Sequence, residues 1–228
     1  MRIRNIIDNP NSIFHQLSLE EKEELEKHIS LTRYRKNKII FKEGDRPIGF
    51  VFLVSGKVKL YKKGISGRNQ IVRLAQPLDI IGFRAFFAEQ NHMATAVTLE
   101  DALICTVSFD FILTTALKNN HFSLQVIQKL AHQLGHMDSR IMALTQKHTR
   151  GRLADSLLLL KNEFGYADDG ITLNVNMSRI DIANLSNMTT SNAIRTLSSL
   201  ASEKVIALEG RKIKILDLPR LERVSRLG

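Results

Sequence analysis

The sequence predicts an α+β protein in which short antiparallel strands come first, one long helix follows, and a small helical domain with a two-stranded hairpin comes last. Three observations support this prediction. Short β-branched and aromatic runs fill residues 34–107, residues 111–147 contain no proline, and helical patterns give way to a hairpin pattern within residues 149–215. With 43% hydrophobic residues among 228, the chain can bury a substantial core.

The N-terminal part begins with a helix signal and continues with strand signals. Ser18 and Glu21 have the spacing of a capping box, which predicts a helix from residue 19 to about residue 29. Runs such as KIIF, FVFLVS, QIVRL and ATAVTL then alternate with glycine-containing turns. Many short strands at regular turn spacing predict an antiparallel β-roll within residues 1–110.

A long helix is predicted over residues 111–147, which lack proline and contain one glycine. Heptad spacing places a row of side chains on one seam, and this predicts that the helix pairs with a second copy in a homodimer. The seam residues are Leu124, Ile127, Ala131, Leu134, Asp138, Ile141 and Thr145, of which all but Thr145 are expected in the dimer interface. Because Leu130, Met137 and Leu144 beside the seam are also apolar, the helix is expected to pack on its own roll as well.

The sequence pattern of the C-terminal part, residues 148–228, predicts a winged helix. A helix over GRLADSLLLLKNEF is followed by ITLNV, which has a strand pattern. Ser178 with Asp181 three residues later predicts a helix cap, and Asn187 tolerates the left-handed conformation of a tight turn between two helices. VIALEGRKIKIL then has the pattern of a hairpin. Two helices joined by a tight turn and followed by a β-hairpin describe a winged helix-turn-helix.

The two helices around Asn187 have an apolar face and a polar face. The apolar face, expected in the core, consists of Ile182, Leu185, Ile194, Leu197 and Leu200. The other face lacks the Glu and Lys pairs that usually solvate a surface helix. It consists of Thr189, Thr190, Ser191, Asn192, Arg195 and Ser199. Small donors and acceptors of this kind can approach another molecule closely.

Composition narrows the classes of function. A net charge of +10 fits a polyanionic partner, although residues 149–228 hold only 12 Lys and Arg against 9 Asp and Glu. No run of about 18 apolar residues occurs, and the N-terminal MRIRNIIDNP is too polar for an export signal, so we expect a cytoplasmic protein without a membrane span. The single Cys105, within ALICTV, is expected to be a buried strand residue.

The sequence contains no recognisable catalytic motif. It has no nucleophile elbow, metal triad or phosphate-binding glycine loop, and we therefore expect no enzyme and no catalytic residues. His132 and His136 have the i, i+4 spacing of metal ligands. They fall at heptad positions that face solvent, so we expect no metal site there.

At this point the chain resembles the cyclic AMP receptor protein and fumarate-nitrate reduction (CRP/FNR) family of bacterial transcription regulators. The resemblance rests on IIFKEGD and FVFLVSGKVKL in the roll, LDIIGF after them, the long helix, and MSRIDIANLSNMTTSNAIRTL. It covers nearly the whole chain with the elements in the same order. It implies a roll that senses a signal, a long helix that dimerises, and winged helices that bind a two-fold symmetric site on double-stranded DNA, with RNA polymerase as a further partner.

The resemblance also implies which residues contact DNA. Arg195 matches the recognition-helix arginine of the family, and an arginine there can donate two hydrogen bonds to guanine. The expected set is Ser178, Arg179, Thr189, Thr190, Ser191, Asn192 and Arg195. Ser178 and Arg179 are expected to contact phosphates, which set register rather than sequence. Because many relatives have a glutamate where this chain has Ser191, their operator sequence does not transfer. The alternative is that the winged helix contacts a protein.

The segment DIIGFRAFFAEQNHMATAV, which we call the ligand cassette, departs from the pattern of the cyclic-nucleotide binders of the family. Where a cyclic-nucleotide binder of the family has a glutamate, an arginine and a serine or threonine, this chain has Phe83, Met93 and Ala94. None of these can pair with a phosphate, so cyclic AMP is not the expected effector. One cysteine cannot hold an iron–sulfur cluster.

Two interpretations of the cassette remain open. The first is an effector pocket for an apolar or planar ligand, lined by Phe83, Arg84, Phe86, Met93 and Ala94. Haem is a candidate for this ligand, with His92 and Met93 as axial ligands. The second is that side chains fill the cavity.

The resemblance leads to a hypothesis in which Asp138 controls the association of the two long helices. If the two long helices lie parallel, Asp138 meets its own copy across the seam and the two carboxylates repel. Such a residue would weaken the dimer, so that a signal from the roll decides how the helices associate. The alternative is that the seam is shifted and Asp138 is a solvated helix residue.

Overall fold

The computed structural model describes residues 4–64 and 67–227 of the chain. They divide into two compact units. The first unit runs to Lys62 and resumes from Arg73 to His136, and the second comprises Lys63–Val72 and the chain from Met137 onward. The observed helices and antiparallel sheets confirm the predicted α+β class.

The roll consists of two antiparallel sheets. Its strands are β1 (Ile29–Tyr34), β2 (Ile39–Phe41), β3 (Phe50–Ser55), β4 (Val58–Lys63), β5 (Asn69–Ala75), β6 (Ile80–Ile81), β7 (Thr95–Thr98) and β8 (Ala102–Val107). Across the described residues they form two four-stranded sheets, in the orders β1-β8-β3-β6 and β2-β7-β4-β5. Strand β8 pairs antiparallel with β1 and β3, and β7 with β2 and β4. The predicted roll is therefore confirmed.

Strand β3 shows where the core of the roll lies. Successive side chains of a strand alternate between its faces, and Phe50, Val51, Phe52 and Leu53 are all buried. Val51 and Leu53 join a cluster that draws on both sheets, whereas Phe50 and Phe52 join the cluster under the helices. Cys105 on β8 is buried, and burial raises the pKa of its thiol to about 12. It is a small hydrophobic core residue, as predicted.

Short helices flank the sheets. They are α1 (Arg4–Ile7), α2 (Leu19–Lys27), α3 (Phe83–Phe87) and α4 (Phe109–Thr114). The predicted capping box of α2 is confirmed, because the Ser18 hydroxyl accepts from the Glu21 amide at 3.1 Å and the Glu21 carboxylate accepts from the Ser18 amide at 2.7 Å.

The long helix begins later than the sequence predicted. Residues 111–147 do not form one helix: α4 ends at Thr114, a 3₁₀ turn covers Ala116–Lys118, and the long helix α5 is Asn120–Gln146. The break has a local cause, because the Asn119 side chain accepts a hydrogen bond from the Phe122 amide at 3.1 Å. An asparagine in this role is an N-cap, and it starts a new helix.

Helix α5 has two apolar faces. Phe122 and Val126 are buried and Leu130 packs against the same cluster, so the helix covers the core of the first unit, as predicted. Met137, which was expected to share this contact, is 57% exposed. Other large apolar side chains of the helix are more than half exposed. These are Leu124, Ile127, Leu134, Met137, Ile141 and Met142.

The second unit contains the remaining elements. They are α6 (Thr149–Phe164), α7 (Arg179–Leu185), α8 (Thr190–Ser202), β9 (Ile206–Glu209), β10 (Lys212–Ile215) and α9 (Leu218–Leu227). Strands β9 and β10 form the predicted antiparallel hairpin. The ITLNV segment is not a regular strand and makes only isolated bridges, between Thr172 and Lys214 and between Tyr166 and Leu173. Helix α9 had no signal in the sequence analysis, and it packs through the buried Leu221.

Residues 4–64 and 67–227 contain neither a membrane-spanning helix nor a cluster of metal-ligating side chains. None of the helices in these ranges has the length and apolarity that crossing a membrane requires. Within the same ranges, no three His, Cys, Asp or Glu side chains are grouped so that they could hold a metal ion. His132 and His136 on α5 are both exposed.

Candidate nucleic-acid interface

The helix-turn-helix is formed by α7, a tight turn and α8. The Ser178 hydroxyl accepts from the Asp181 amide at 3.0 Å and so caps α7, as predicted. Asn187 in the turn has φ = 49°, a left-handed conformation that asparagine tolerates. The Met188 amide then donates to the Ala183 carbonyl at 3.1 Å, which closes the turn. Local chemistry thus fixes how the chain enters α8.

Helix α8 presents a polar face to solvent. Thr189 is its N-cap, with the hydroxyl accepting from the Asn192 amide at 3.2 Å. Ala193, Leu197 and Leu200 are fully buried and define the core side. The side chains that remain exposed or half-buried are Thr190, Ser191, Asn192, Ile194, Arg195, Thr196, Ser198, Ser199, Ala201 and Ser202. We call Ser191, Ile194, Arg195 and Ser198, which are exposed, the reading face.

Arg195 is the one long cationic side chain of α8, all of which the structure describes. Its guanidinium donates to the Asn192 side-chain oxygen at 3.0 Å, one helical turn earlier. This bond restrains Arg195 at the exposed surface and leaves other guanidinium donors for a partner. The predicted pair Asn192 and Arg195 is therefore one hydrogen-bonded unit.

Two residues of α8 differ from the sequence analysis. Ile194 was expected in the core but is 47% exposed. Each residue of a helix turns by about 100°, so the stripe of Ala193, Leu197 and Leu200 leaves Ile194 at its edge, toward solvent. Ser199 was expected on the polar face. Its hydroxyl instead accepts from Arg150 at 2.9 Å and donates to Glu203 at 3.2 Å, within the unit.

Ser178 and Arg179 make internal contacts. The Ser178 hydroxyl donates to the Asp181 carboxylate at 2.8 Å in addition to its capping role. The Arg179 guanidinium donates to the Gly210 carbonyl at 2.7 Å, and its other terminal nitrogen is buried without a hydrogen-bond partner. Burial also lowers the pKa of Arg179. Arg179 thus fastens the start of α7 to the hairpin turn.

The hairpin turn carries two cations that the sequence analysis did not select. Arg211 and Lys212 follow Gly210 and are exposed. Exposed cations of this kind suit phosphate oxygens, which position a protein on a nucleic-acid duplex. The signal was visible in the sequence as GRK at the turn, but a basic turn alone is common on protein surfaces.

Arginines from two other helices hold the turn before α8. Arg152 of α6 donates to the Ser186 carbonyl at 3.1 Å and to the Asn187 carbonyl at 3.4 Å. Arg140 of α5 donates to the Leu185 carbonyl. These carbonyls end α7, where intrahelical partners are lacking, so cationic donors stabilise them.

The five residues of the expected effector pocket lie in different environments. Phe83 is buried against Phe50 and Phe87 in the helix-side core, with ring centroids 6.2 and 6.5 Å away. Phe86 stacks on Phe109, whereas Arg84 is exposed. Ala94 packs against the other core cluster. Met93 is 48% exposed.

His92 is packed tightly in the roll. It is 5% exposed and stacks on Phe41 with 3.8 Å between ring centroids. A Cβ atom on Gly82 would lie 2.7 Å from its ring, so only glycine fits there. Burial lowers the pKa of His92, and the nearby Asp45 opposes this shift. A histidine ligates haem iron through a ring nitrogen that opens onto the haem cavity. His92 is buried in the packed core and Met93 is half-exposed, so the two candidate axial ligands do not line one cavity and do not fit a haem.

The fold and the exposed face of α8 define a DNA-binding protein of the winged helix-turn-helix class. The chain matches the family profile of the Cyclic nucleotide-binding domain over residues 31–119 and that of the Crp-like helix-turn-helix domain over residues 151–224. It belongs to the CRP/FNR family of bacterial transcription regulators.

Similar proteins agree with this assignment. The Anaerobic regulatory protein of Haemophilus influenzae is 28% identical over 187 residues, which cover 81% of this chain and 72% of that protein. The CRP-like cAMP-activated global transcriptional regulator of Mycobacterium tuberculosis is 24% identical, covering 89% and 91%. The solved structure of FixK2 from Bradyrhizobium japonicum has a TM-score of 0.76 at 24% identity, covering 86% of this chain and 96% of that one, and shows the same fold.

Proposed function

We propose that this transcription regulator acts as a homodimer that reads a two-fold symmetric DNA sequence, under the control of an effector other than cyclic AMP. The observation that carries the proposal is the polar, exposed surface of α8, with Thr190, Ser191, Asn192 and Arg195 on one side of a helix whose other side is fully buried. In a helix-turn-helix, the second helix enters the major groove, where hydroxyl, amide and guanidinium groups meet base edges.

Contacts to the DNA backbone would fix the register of α8. Arg211 and Lys212 at the hairpin turn, which are exposed, would contact phosphates. Arg179 supports that turn by donating to the Gly210 carbonyl. Arg179 is thereby a positioning residue in this proposal. Ser178 contributes by holding the N-terminus of α7 in its capped conformation.

Dimerisation is supported by the exposed face of α5. Leu124, Ile127, Leu134 and Ile141 are each more than half exposed in the single chain. They recur at the heptad spacing of a helix pair, and burying them against a second copy removes apolar surface from water. Ala131 and Asp138, the other residues expected in the dimer interface, are exposed on the same face. A two-fold dimer would present two reading helices to two half-sites.

The effector proposal rests on the cassette. Phe83 is in the core, and Met93 and Ala94 have no group that could pair with a phosphate. The name of the Mycobacterium tuberculosis relative records activation by cAMP, but that property belongs to the relative. Native mass spectrometry of the purified protein, with an absorption spectrum, would identify any ligand that is retained.

The relatives are named as regulators, which supports a regulatory role without catalysis. A cytoplasmic location and contact with RNA polymerase are further parts of this proposal. One experiment distinguishes the proposed DNA binding from the alternative, in which the winged helix contacts a protein. Binding sites are selected from random duplexes, and affinity for the selected site and for random DNA is measured by gel shift at several salt concentrations. We expect preference for the selected site and a steep fall in affinity with salt, because binding releases counterions from phosphates. Equal, weak binding to both would overturn the proposal.

A further inference from the structure

Ile194 is an apolar residue at the centre of the reading face. It is 47% exposed, between Ser191 one turn earlier and Ser198 one turn later, and it adjoins Arg195. The structure describes the whole of α8, and the other large apolar side chains of that helix, Leu197 and Leu200, are fully buried. A single exposed isoleucine is common on protein surfaces. Ile194 differs from such residues because it lies among the polar side chains that face DNA in the proposed function.

The chemistry of the major groove limits what Ile194 can recognise. Guanine, adenine and cytosine present hydrogen-bond donors or acceptors there, and thymine adds a 5-methyl group. Ile194 has no group to donate or accept, so covering the polar edge of the other bases would leave their atoms without partners. Covering a thymine methyl group instead removes apolar surface from both molecules.

We propose that Ile194 is a specificity-determining residue that selects thymine, through its 5-methyl group, at one position of each half-site. This inference rests on the proposed function, since it requires α8 to lie in the major groove. Neighbouring residues of a helix differ by about 1.5 Å along its axis, which is less than the base-pair step of about 3.4 Å. The selected thymine therefore lies at the base pair contacted by Arg195 or at an adjacent one.

The test replaces each thymine of the selected site by uracil, which removes only the methyl group. For the wild-type protein, replacement at one particular position, made in one half-site only, should weaken binding about fourfold, the factor that corresponds to about 0.8 kcal/mol for one buried methyl group. Ile194→Ala should bind the thymine and uracil sites equally at that position. Ile194→Val, which keeps a branched apolar tip, should retain most of the discrimination.

The matched control is Ile180→Ala. Ile180 is 59% exposed on α7, outside the reading face, so this variant should discriminate between thymine and uracil as the wild type does. Circular dichroism and thermal melts of each variant check that the fold is intact. The inference is overturned if no uracil replacement weakens the wild type, or if Ile194→Ala still discriminates at the same position. Loss of preference for any site by the wild type would overturn the proposed function itself, a distinct result.

Discussion

Arg140 of the long helix α5 donates a hydrogen bond to the backbone carbonyl of Leu185, the last residue of α7. Burial lowers the pKa of Arg140, and the nearby Asp155 opposes that shift. The charge therefore lies in a partly desolvated site at the C-terminal end of a helix, where a cation is favourable. Since Arg152 donates to the next two carbonyls, the last turns of α5 and the start of α6 together fix the turn that leads into α8.

Arg140→Met should lower both the stability of the second unit and its affinity for DNA of any sequence. Methionine keeps an apolar stem but leaves the Leu185 carbonyl without its charged donor, a loss of about 1.5 to 3 kcal/mol for such a bond. Urea denaturation measures the first effect and gel shifts on selected and random duplexes the second. Arg226→Met, at an exposed position of α9, is the control. An unchanged unfolding midpoint for Arg140→Met would contradict this prediction.

Arg195→Ala should weaken binding to the selected site by about 1 to 3 kcal/mol and relax the preference at one base pair per half-site. The reason is that its guanidinium is restrained by Asn192 at the exposed surface and, in the proposed function, donates to a base edge. Arg211→Ala is the contrast. Loss of a phosphate contact should weaken binding to all sequences equally and reduce the slope of log affinity against log salt concentration by about one. Equal losses on selected and random DNA for Arg195→Ala would reduce its role to phosphate contact.

Cyclic AMP should neither bind measurably nor alter DNA affinity. Phe83, Met93 and Ala94 occupy the cassette positions where a cyclic-nucleotide binder of this family has polar partners. Titration calorimetry of the full chain with cyclic AMP tests the binding, and a gel shift with and without the nucleotide tests the effect. Micromolar binding would show that another group in the roll pairs with the phosphate.

Asp138→Leu should tighten the dimer and raise DNA affinity without effector. Asp138 is exposed on α5 between Leu134 and Ile141, which are 63% and 55% exposed, so the substitution adds an apolar pair to the proposed seam. Sedimentation equilibrium over a dilution series measures the association. His136→Leu, at an exposed position off the seam, should leave it unchanged. A dimer constant that Asp138→Leu does not improve would leave Asp138 as a solvated helix residue.

The stability of the roll should fall in mild acid because of His92. Burial holds the pKa of His92 below its usual value of 6.5, so the unfolded chain takes up a proton at a higher pH than the folded one. The contribution of His92 is therefore complete above pH 6.5 and is lost as the pH falls from there toward the folded pKa. Thermal melts between about pH 7.5 and about pH 5.5 measure this loss. In His92→Gln the dependence on pH should be smaller, and an identical dependence would exclude His92 as its source.

The helix caps and the order of the secondary-structure elements could be predicted from the sequence, because they depend on residues that are close together in the chain. Ser18 with Glu21 and Ser178 with Asp181 form the predicted bonds across three residues. Asn119 acts by the same local chemistry and divides the segment predicted as one helix. The change from strand patterns to helical ones likewise predicted the roll, the long helix and the winged helix in order.

The sequence by itself determined which residues could face DNA, and only the tertiary structure decided which of them are free to do so. Periodicity assigns a residue to a helix face but does not fix where the buried stripe ends, so Ile194 was expected in the core and is exposed. The partners of Arg179 and Arg140 are Gly210, 31 residues away, and Leu185, 45 residues away. Contacts across such distances depend on how helices pack together, which no local pattern records.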